Sequence, residues 1–105
     1  MKELSKAQQK YLRKESHQHK PIFQMGKMGL TEAFLEQVDE ALEKRELIKF
    51  NILPNSDEDL REVSQIIEEQ LGAYVVQTIG HTVILYRPSS KAKHQVISQA
   101  LKQVK

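Results

Sequence analysis

The spacing of the apolar residues changes repeatedly between a helical period and a strand period along this chain of 105 residues. Apolar side chains three and four positions apart predict four helices, and short β-rich runs predict four strands. The predicted helices cover residues 5–18, 31–43, 56–71 and 89–104, and the predicted strands cover residues 22–25, 47–53, 73–79 and 82–87.

This order, α-β-α-β-α-β-β-α, predicts an α/β fold built as one domain. Strands joined through helices tend to run parallel, whereas Gly80-His81 suits a two-residue type II′ hairpin turn. We therefore expect a mixed four-stranded sheet with helices packed on it. Residues 1–88 form the expected domain, and residues 89–105 are either a C-terminal helix capped by Ser89 or Ser90 or a basic tail.

Charge is distributed unevenly along the chain. Residues 1–30 hold seven basic residues against two acids, residues 31–72 hold twelve acids against four basic residues, and residues 73–105 hold five basic residues and no acid. If the two basic ends lie together in space, they form a basic face of the kind that attracts a polyphosphate. The alternative is that both ends are ordinary solvated surface.

Composition excludes several classes of site. The chain has no cysteine, which rules out disulfides, thiol catalysis and cysteine-based zinc sites. His17 and His19 lie two positions apart and point in different directions on a helix, so no metal site is expected. No apolar run approaches the ~20 residues of a membrane span, so we expect a soluble, cytoplasmic protein.

No catalytic constellation stands out. The sequence contains no phosphate-binding G-x-x-x-x-G-K-[ST] loop, and its carboxylates line the outer faces of the second and third predicted helices. We therefore predict no enzyme activity, no cofactor and no small-molecule substrate.

A glycine-rich loop and a lysine on a predicted strand both suit contact with RNA. The loop Gly26-Lys27-Met28-Gly29 joins a predicted strand to a predicted helix. Its glycines allow unusual backbone conformations and close approach to a sugar-phosphate backbone, and Lys27 adds a cation. A plain structural turn is the alternative reading of this loop. Lys49 is predicted on the solvent side of the second strand.

These residues resemble a known family. The segments LSKAQQKYLRK (4–14), PIFQMGKMGLT (21–31), RELIKF (45–50) and IGHTVILYRP (79–88) are similar to the CRM domain, named for chloroplast RNA splicing and ribosome maturation. The whole chain looks like the stand-alone bacterial form, the YhbY family. The resemblance implies a fold similar to the C-terminal domain of translation initiation factor three, binding to ribosomal RNA, and association with precursors of the large ribosomal subunit.

The resemblance also implies a set of RNA-binding residues. Met28 stands where the family often has Asn, and His81 stands where it often has Arg, so contact at these two positions differs from the family pattern. The complete predicted set is Gly26, Lys27, Met28, Gly29, Lys10, Arg13, Lys14, Lys20, Lys49, His81 and Arg87.

Two further functions are alternatives to RNA binding. A protein-protein adaptor would dock a basic ribosomal protein on the acidic second and third helices. A hydrolase acting on RNA would need an acid/base pair or a metal cluster, for which the sequence shows no candidate. We expect the protein to be a monomer.

Overall fold

The computed structural model describes residues 4–26, 30–53 and 60–104. The predicted order of elements is confirmed there, although the predicted start of the third helix at Ser56 or Asp57 lies outside the described residues. Within those ranges, no helix has the length and apolar character needed to cross a bilayer. The elements are α1 (Lys6–Ser16), β1 (Phe23–Met25), α2 (Glu32–Arg45), β2 (Leu47–Ile52), α3 (Leu60–Leu71), β3 (Tyr74–Ile79), β4 (Thr82–Tyr86), a 3₁₀ turn (Ala92–His94) and α4 (Ile97–Lys102).

The first two helices begin where the sequence predicts. Ser5 Oγ accepts a hydrogen bond from the Gln8 N–H at 3.1 Å, and Gln8 Oε1 accepts one from the Ser5 N–H at 3.0 Å. This reciprocal pair satisfies two backbone donors that the helix itself cannot satisfy. Thr31 Oγ1 accepts from the Phe34 N–H at 3.0 Å and starts α2 in the same way.

The four strands form one mixed sheet in the order β1-β2-β4-β3. β1 and β2 are parallel, whereas β4 is antiparallel to both of its neighbours. Gly80 has φ +57°, while His81 stays out of the left-handed region. A positive φ at the first central residue alone is what a type II′ turn requires, so the predicted hairpin is confirmed.

Helices α2 and α3 cover one face of the sheet. Phe34 of α2 packs edge-on against Phe50 of β2, with ring centroids 5.3 Å apart, and Val63 and Ile67 of α3 join the same core. Ile66 of α3 is 38% exposed because it lies one position off the inward-facing side of the helix.

Helices α1 and α4 cover the other face. Leu12 of α1, Leu47 of β2 and Leu101 of α4 belong to one buried cluster, and Gln8 Nε2 donates to the Leu101 carbonyl at 3.4 Å. The molecule therefore has three layers: α1 and α4, then the sheet, then α2 and α3.

The final helix is held in place by a buried carboxylate. Glu46 Oε2 accepts from the Ser89 N–H at 2.7 Å and from Ser98 Oγ at 2.6 Å, and Glu46 Oε1 accepts from the Ser98 N–H at 2.9 Å. The expected cap at Ser89 or Ser90 was wrong, because Ser89 Oγ donates to the Glu43 carbonyl at 2.7 Å and the α4 backbone begins only at Ile97. Glu46 supplies the capping acceptor from elsewhere in the chain.

Candidate nucleic-acid interface

The three layers separate charge by sign. α1 carries four basic residues and one acid, and the segment from residue 87 to residue 104 carries four basic residues and no acid. On the opposite face, α2 carries five acids against two basic residues, and α3 carries three acids against one. α1 and α4 pack on the same side of the sheet, and Lys102 of α4 lines a cavity together with Leu4 and Gln8 at the start of α1. Lys91 and Lys93 lie at the 3₁₀ turn, which contacts α2 instead. We call the exposed surface of α1 and α4 the basic face.

The cations of α1 form a regular stripe. Lys6, Lys10 and Lys14 are spaced four residues apart and are exposed, while Arg13 is half-buried beside them. In the described part of the chain, no carboxylate lies within ion-pair distance of these four side chains. Their charges are therefore available to a ligand, and i, i+4 spacing places them along one side of the helix.

Gly26 lies at the end of β1, where several loops meet. The Met25 carbonyl accepts from the Leu53 N–H at 3.2 Å, and the His81 carbonyl accepts from the Ile52 N–H at 2.7 Å. Gly26 and His81 are therefore both placed at the C-terminal end of β2. Lys27, Met28 and Gly29 lie outside the described residues.

The glycine at position 26 is not required by internal packing. Apart from its chain neighbours, no atom of the described residues lies within 4 Å of a Cβ placed there, and Gly26 does not adopt a left-handed φ. The conformational freedom proposed for the loop glycines is thus not used at Gly26. The open space beside its backbone leaves room for an approaching strand.

Lys20 lines a cavity at the connection between α1 and β1. This cavity has a volume of about 240 Å³ and is also lined by His19, Ile22 and Arg45. Arg45 is exposed and belongs to the acidic helix α2. The predicted contact set leaves Arg45 out because α2 as a whole is negative.

Lys49 lies on the α1 side of β2, opposite Ile84 of β4, and is partly exposed. This is the position predicted from strand alternation. Lys49 faces the same side of the sheet as α1, so its charge adds to that of the basic face.

Arg87 makes internal ion pairs. Its side chain is 14% exposed, and its guanidinium pairs with Asp39 at 2.7 Å and with Glu43 at 3.2 Å. It also donates to the Leu71 carbonyl at 2.9 Å. Arg87 follows β4 at the end of the sheet where β2 begins, opposite the end that holds Gly26. These pairs occupy the guanidinium in the protein alone, and the RNA contact at Arg87 stays a prediction.

Two titratable side chains near Arg87 and α4, Glu43 and Tyr86, have shifted pKa values. Hydrogen bonds from Ser90, together with the charge of Arg87, hold the pKa of Glu43 below its usual range. Burial and the neighbouring Glu46 carboxylate raise the pKa of Tyr86 to about 12.

In the ranges described, no three His, Asp or Glu side chains are grouped in a way that could hold a metal ion.

The chain is similar to proteins that are named as RNA-binding proteins. The chain is 41% identical over 90 residues to the Bacillus subtilis protein named "Probable RNA-binding protein YqeI", covering 86% of this chain and 94% of that one. It is 38% identical over 96 residues to a Haemophilus influenzae protein named "RNA-binding protein", covering 91% and 97% of the two chains.

A solved structure has the same fold. The solution structure of the Staphylococcus aureus protein SAV1595, itself proposed to bind RNA, matches with a TM-score of 0.71 at 39% identity, covering 86% of this chain and 94% of that chain. The family model for the CRS1/YhbY (CRM) domain matches residues 4–87. With a match over most of its length and the same helix and strand order, this chain belongs to the CRS1/YhbY (CRM) domain family.

Proposed function

We propose that this protein binds ribosomal RNA in precursors of the large ribosomal subunit and assists their assembly. The observation that supports the proposal is the packing of α1 and α4 on one side of the sheet, which brings Lys102 near the cations of α1 on the side that Lys49 faces. Cations separated in sequence by most of the chain are thereby concentrated where a single polyanion can contact them together. The names of the relatives support RNA as the ligand.

The proposed mechanism is binding without bond-making. The loop from Gly26 to Gly29 contacts the sugar-phosphate backbone, with Lys27 supplying charge, and Lys10, Arg13, Lys14, Lys20 and Lys49 contribute further phosphate contacts. Contacts of this kind respond to backbone shape and charge, so they position the protein without reading sequence. We propose that the protein acts as a monomer in the cytoplasm.

A salt titration of RNA binding tests this proposal. The logarithm of the binding constant should fall with the logarithm of salt concentration by about 0.7 for each phosphate neutralised on a single strand. Lys27→Glu should weaken binding and reduce that slope, because one phosphate contact is lost. Lys44→Glu changes the charge equally at an exposed position on α2, on the acidic side of the sheet, and should leave binding near the wild-type level.

Two results would count against the proposal. Binding that does not respond to salt would exclude an electrostatic interface. Equal losses from Lys27→Glu and Lys44→Glu would show that only net charge matters and that the loop is not the contact.

The acidic side supports a second candidate function, the docking of a basic protein. A groove of about 460 Å³ between α2 and α3 is lined by Glu32, Glu36 and Asp39, with Leu35 and Leu71 beside them. Lysine or arginine side chains of a ribosomal protein would be complementary to this groove. Recovery of such a protein in a pull-down that survives nuclease treatment would favour docking over RNA binding.

A further inference from the structure

In the described part of the chain, the sheet is only partly covered at one end of the side that α1 and α4 occupy. Leu47 and Tyr86, at one end, are buried under those helices. Toward the other end, Lys49 is partly exposed, and beyond it Asn51 and Thr82 are partly exposed as well. We call Lys49, Asn51 and Thr82, with the exposed Gln24 of β1, the open patch.

The open patch favours an anionic or acceptor-rich ligand. The four strands contain no Asp or Glu, and Lys49 is their single charged residue. The nearest part of the predicted interface adjoins it, since Gly26 follows β1 and His81 follows β3 at this same end of the sheet. An RNA strand held at the Gly26 loop would therefore pass close to the open patch.

One hydrogen bond orients the amide of the open patch. Thr82 Oγ1 donates to Asn51 Oδ1 at 2.7 Å. The amide oxygen of Asn51 is thus turned toward β4 and already has a donor. The Asn51 amide nitrogen meets no acceptor in the described part of the chain, so its two hydrogens are what the side chain offers to a ligand.

Building on the proposed function, we propose that the open patch binds an unpaired guanine of a single-stranded RNA segment. Lys49 and the Asn51 amide nitrogen are both donors, and the N7 and O6 atoms of guanine are neighbouring acceptors on one edge. Adenine replaces O6 with an amino donor, which would face the donors of the patch. Asn51 would thereby add base preference to an interface that otherwise contacts the backbone.

The test compares short uridine-rich RNA single strands that carry one central guanosine, adenosine or 7-deazaguanosine, with binding followed by fluorescence anisotropy. The wild-type protein should prefer guanosine over adenosine about fivefold, the lower end of the range for base contacts. The 7-deaza base lacks the N7 acceptor and should lose most of this preference. Equal affinity for all three strands would overturn the proposal.

Substitutions then assign the preference to the open patch. Asn51→Ala should bind guanosine and adenosine strands equally, while retaining the salt dependence of the backbone contacts. Thr82→Val removes the hydroxyl that orients Asn51 without changing the size of the side chain, so it should reduce the preference only when Asn51 is present. Gln70→Ala removes an exposed amide from α3 on the opposite side and should change nothing.

The outcomes separate the two proposals. If the wild-type protein binds none of the strands, both fail. If it binds all of them with a steep salt dependence and no base preference, the backbone-binding proposal stands and the open patch is excluded as a base site. A guanosine preference that survives Asn51→Ala in a folded protein, verified by circular dichroism, would also overturn the assignment to the open patch.

Discussion

Replacing Glu46 with alanine should destabilise the protein more than any exposed substitution. The Glu46 side chain is wholly buried and accepts three hydrogen bonds from Ser89 and Ser98, between 2.6 and 2.9 Å in length. Alanine would leave two backbone N–H groups and one hydroxyl without this acceptor, and α4 would lose its N-terminal cap.

The size of the effect follows from those three contacts. A buried donor left unsatisfied costs about 1–3 kcal/mol, and partial access of water lowers the sum, so we expect a loss of about 3–5 kcal/mol. At roughly 5 °C per kcal/mol for a chain of this size, the midpoint of thermal unfolding should fall by about 15–25 °C. Glu46 also has φ +65°, a conformation that costs alanine more than glycine. Glu46→Gly should therefore be less destabilising than Glu46→Ala by about 1 kcal/mol.

Urea denaturation followed by circular dichroism measures the stability, and hydrogen exchange at the Ser98 amide reports on the cap itself. Glu40→Gln, at an exposed acid on α2, is the matched control and should remain within about 0.5 kcal/mol of the wild type. The reasoning is refuted if Glu46→Ala unfolds at the wild-type temperature, or if exchange at Ser98 is unchanged while exchange elsewhere accelerates.

Three further predictions concern the neighbouring side chains. Arg87→Lys should cost about 1–3 kcal/mol in urea unfolding, because the single ammonium of lysine lacks the planar fork that pairs with Asp39 and Glu43 together. RNA affinity should stay unchanged, and a tenfold loss of affinity in the folded variant would show that Arg87 contacts RNA. The pKa of Glu43 is lower in the folded protein than its ordinary value of 4.5, so the stability that ionised Glu43 contributes is present above pH 4.5 and is lost as the pH falls through the folded pKa. In Glu43→Gln the loss of stability in acid should be smaller. An identical dependence of stability on pH in the variant and the wild type would contradict the assignment. Burial raises the pKa of Tyr86 from 10.0 to about 12, so the stability that the protonated Tyr86 contributes is present below pH 10.0 and is lost as the pH rises toward 12. Ultraviolet titration should show one tyrosine that ionises at higher pH than the others, and this step should be absent in Tyr86→Phe. Titration of all the tyrosines over the same pH range would refute this.

Much of the fold was determined by the sequence through local rules. The cap at Ser5 and the cap at Thr31 each depend on a side chain and a backbone group three residues away, so neighbouring residues suffice to predict them. Strand alternation placed Lys49 on the side opposite the α2 and α3 core, and the glycine of the hairpin indicated its turn type. The family resemblance and the charge of each segment were likewise present in the order of residues alone.

Only the tertiary structure decided which distant groups meet. The α4 cap comes from Glu46, 52 residues before Ser98, and no short-range pattern marks such a pairing. The sequence predicted Arg87 as an exposed cation, whereas in the fold Arg87 lies beside α2 and pairs with Asp39 and Glu43. Helices α1 and α4 could have lain on opposite sides of the sheet with the same charges. They share one side because their apolar residues are buried in a single cluster, and the free energy of burying apolar surface does not depend on the sequence separation of the residues.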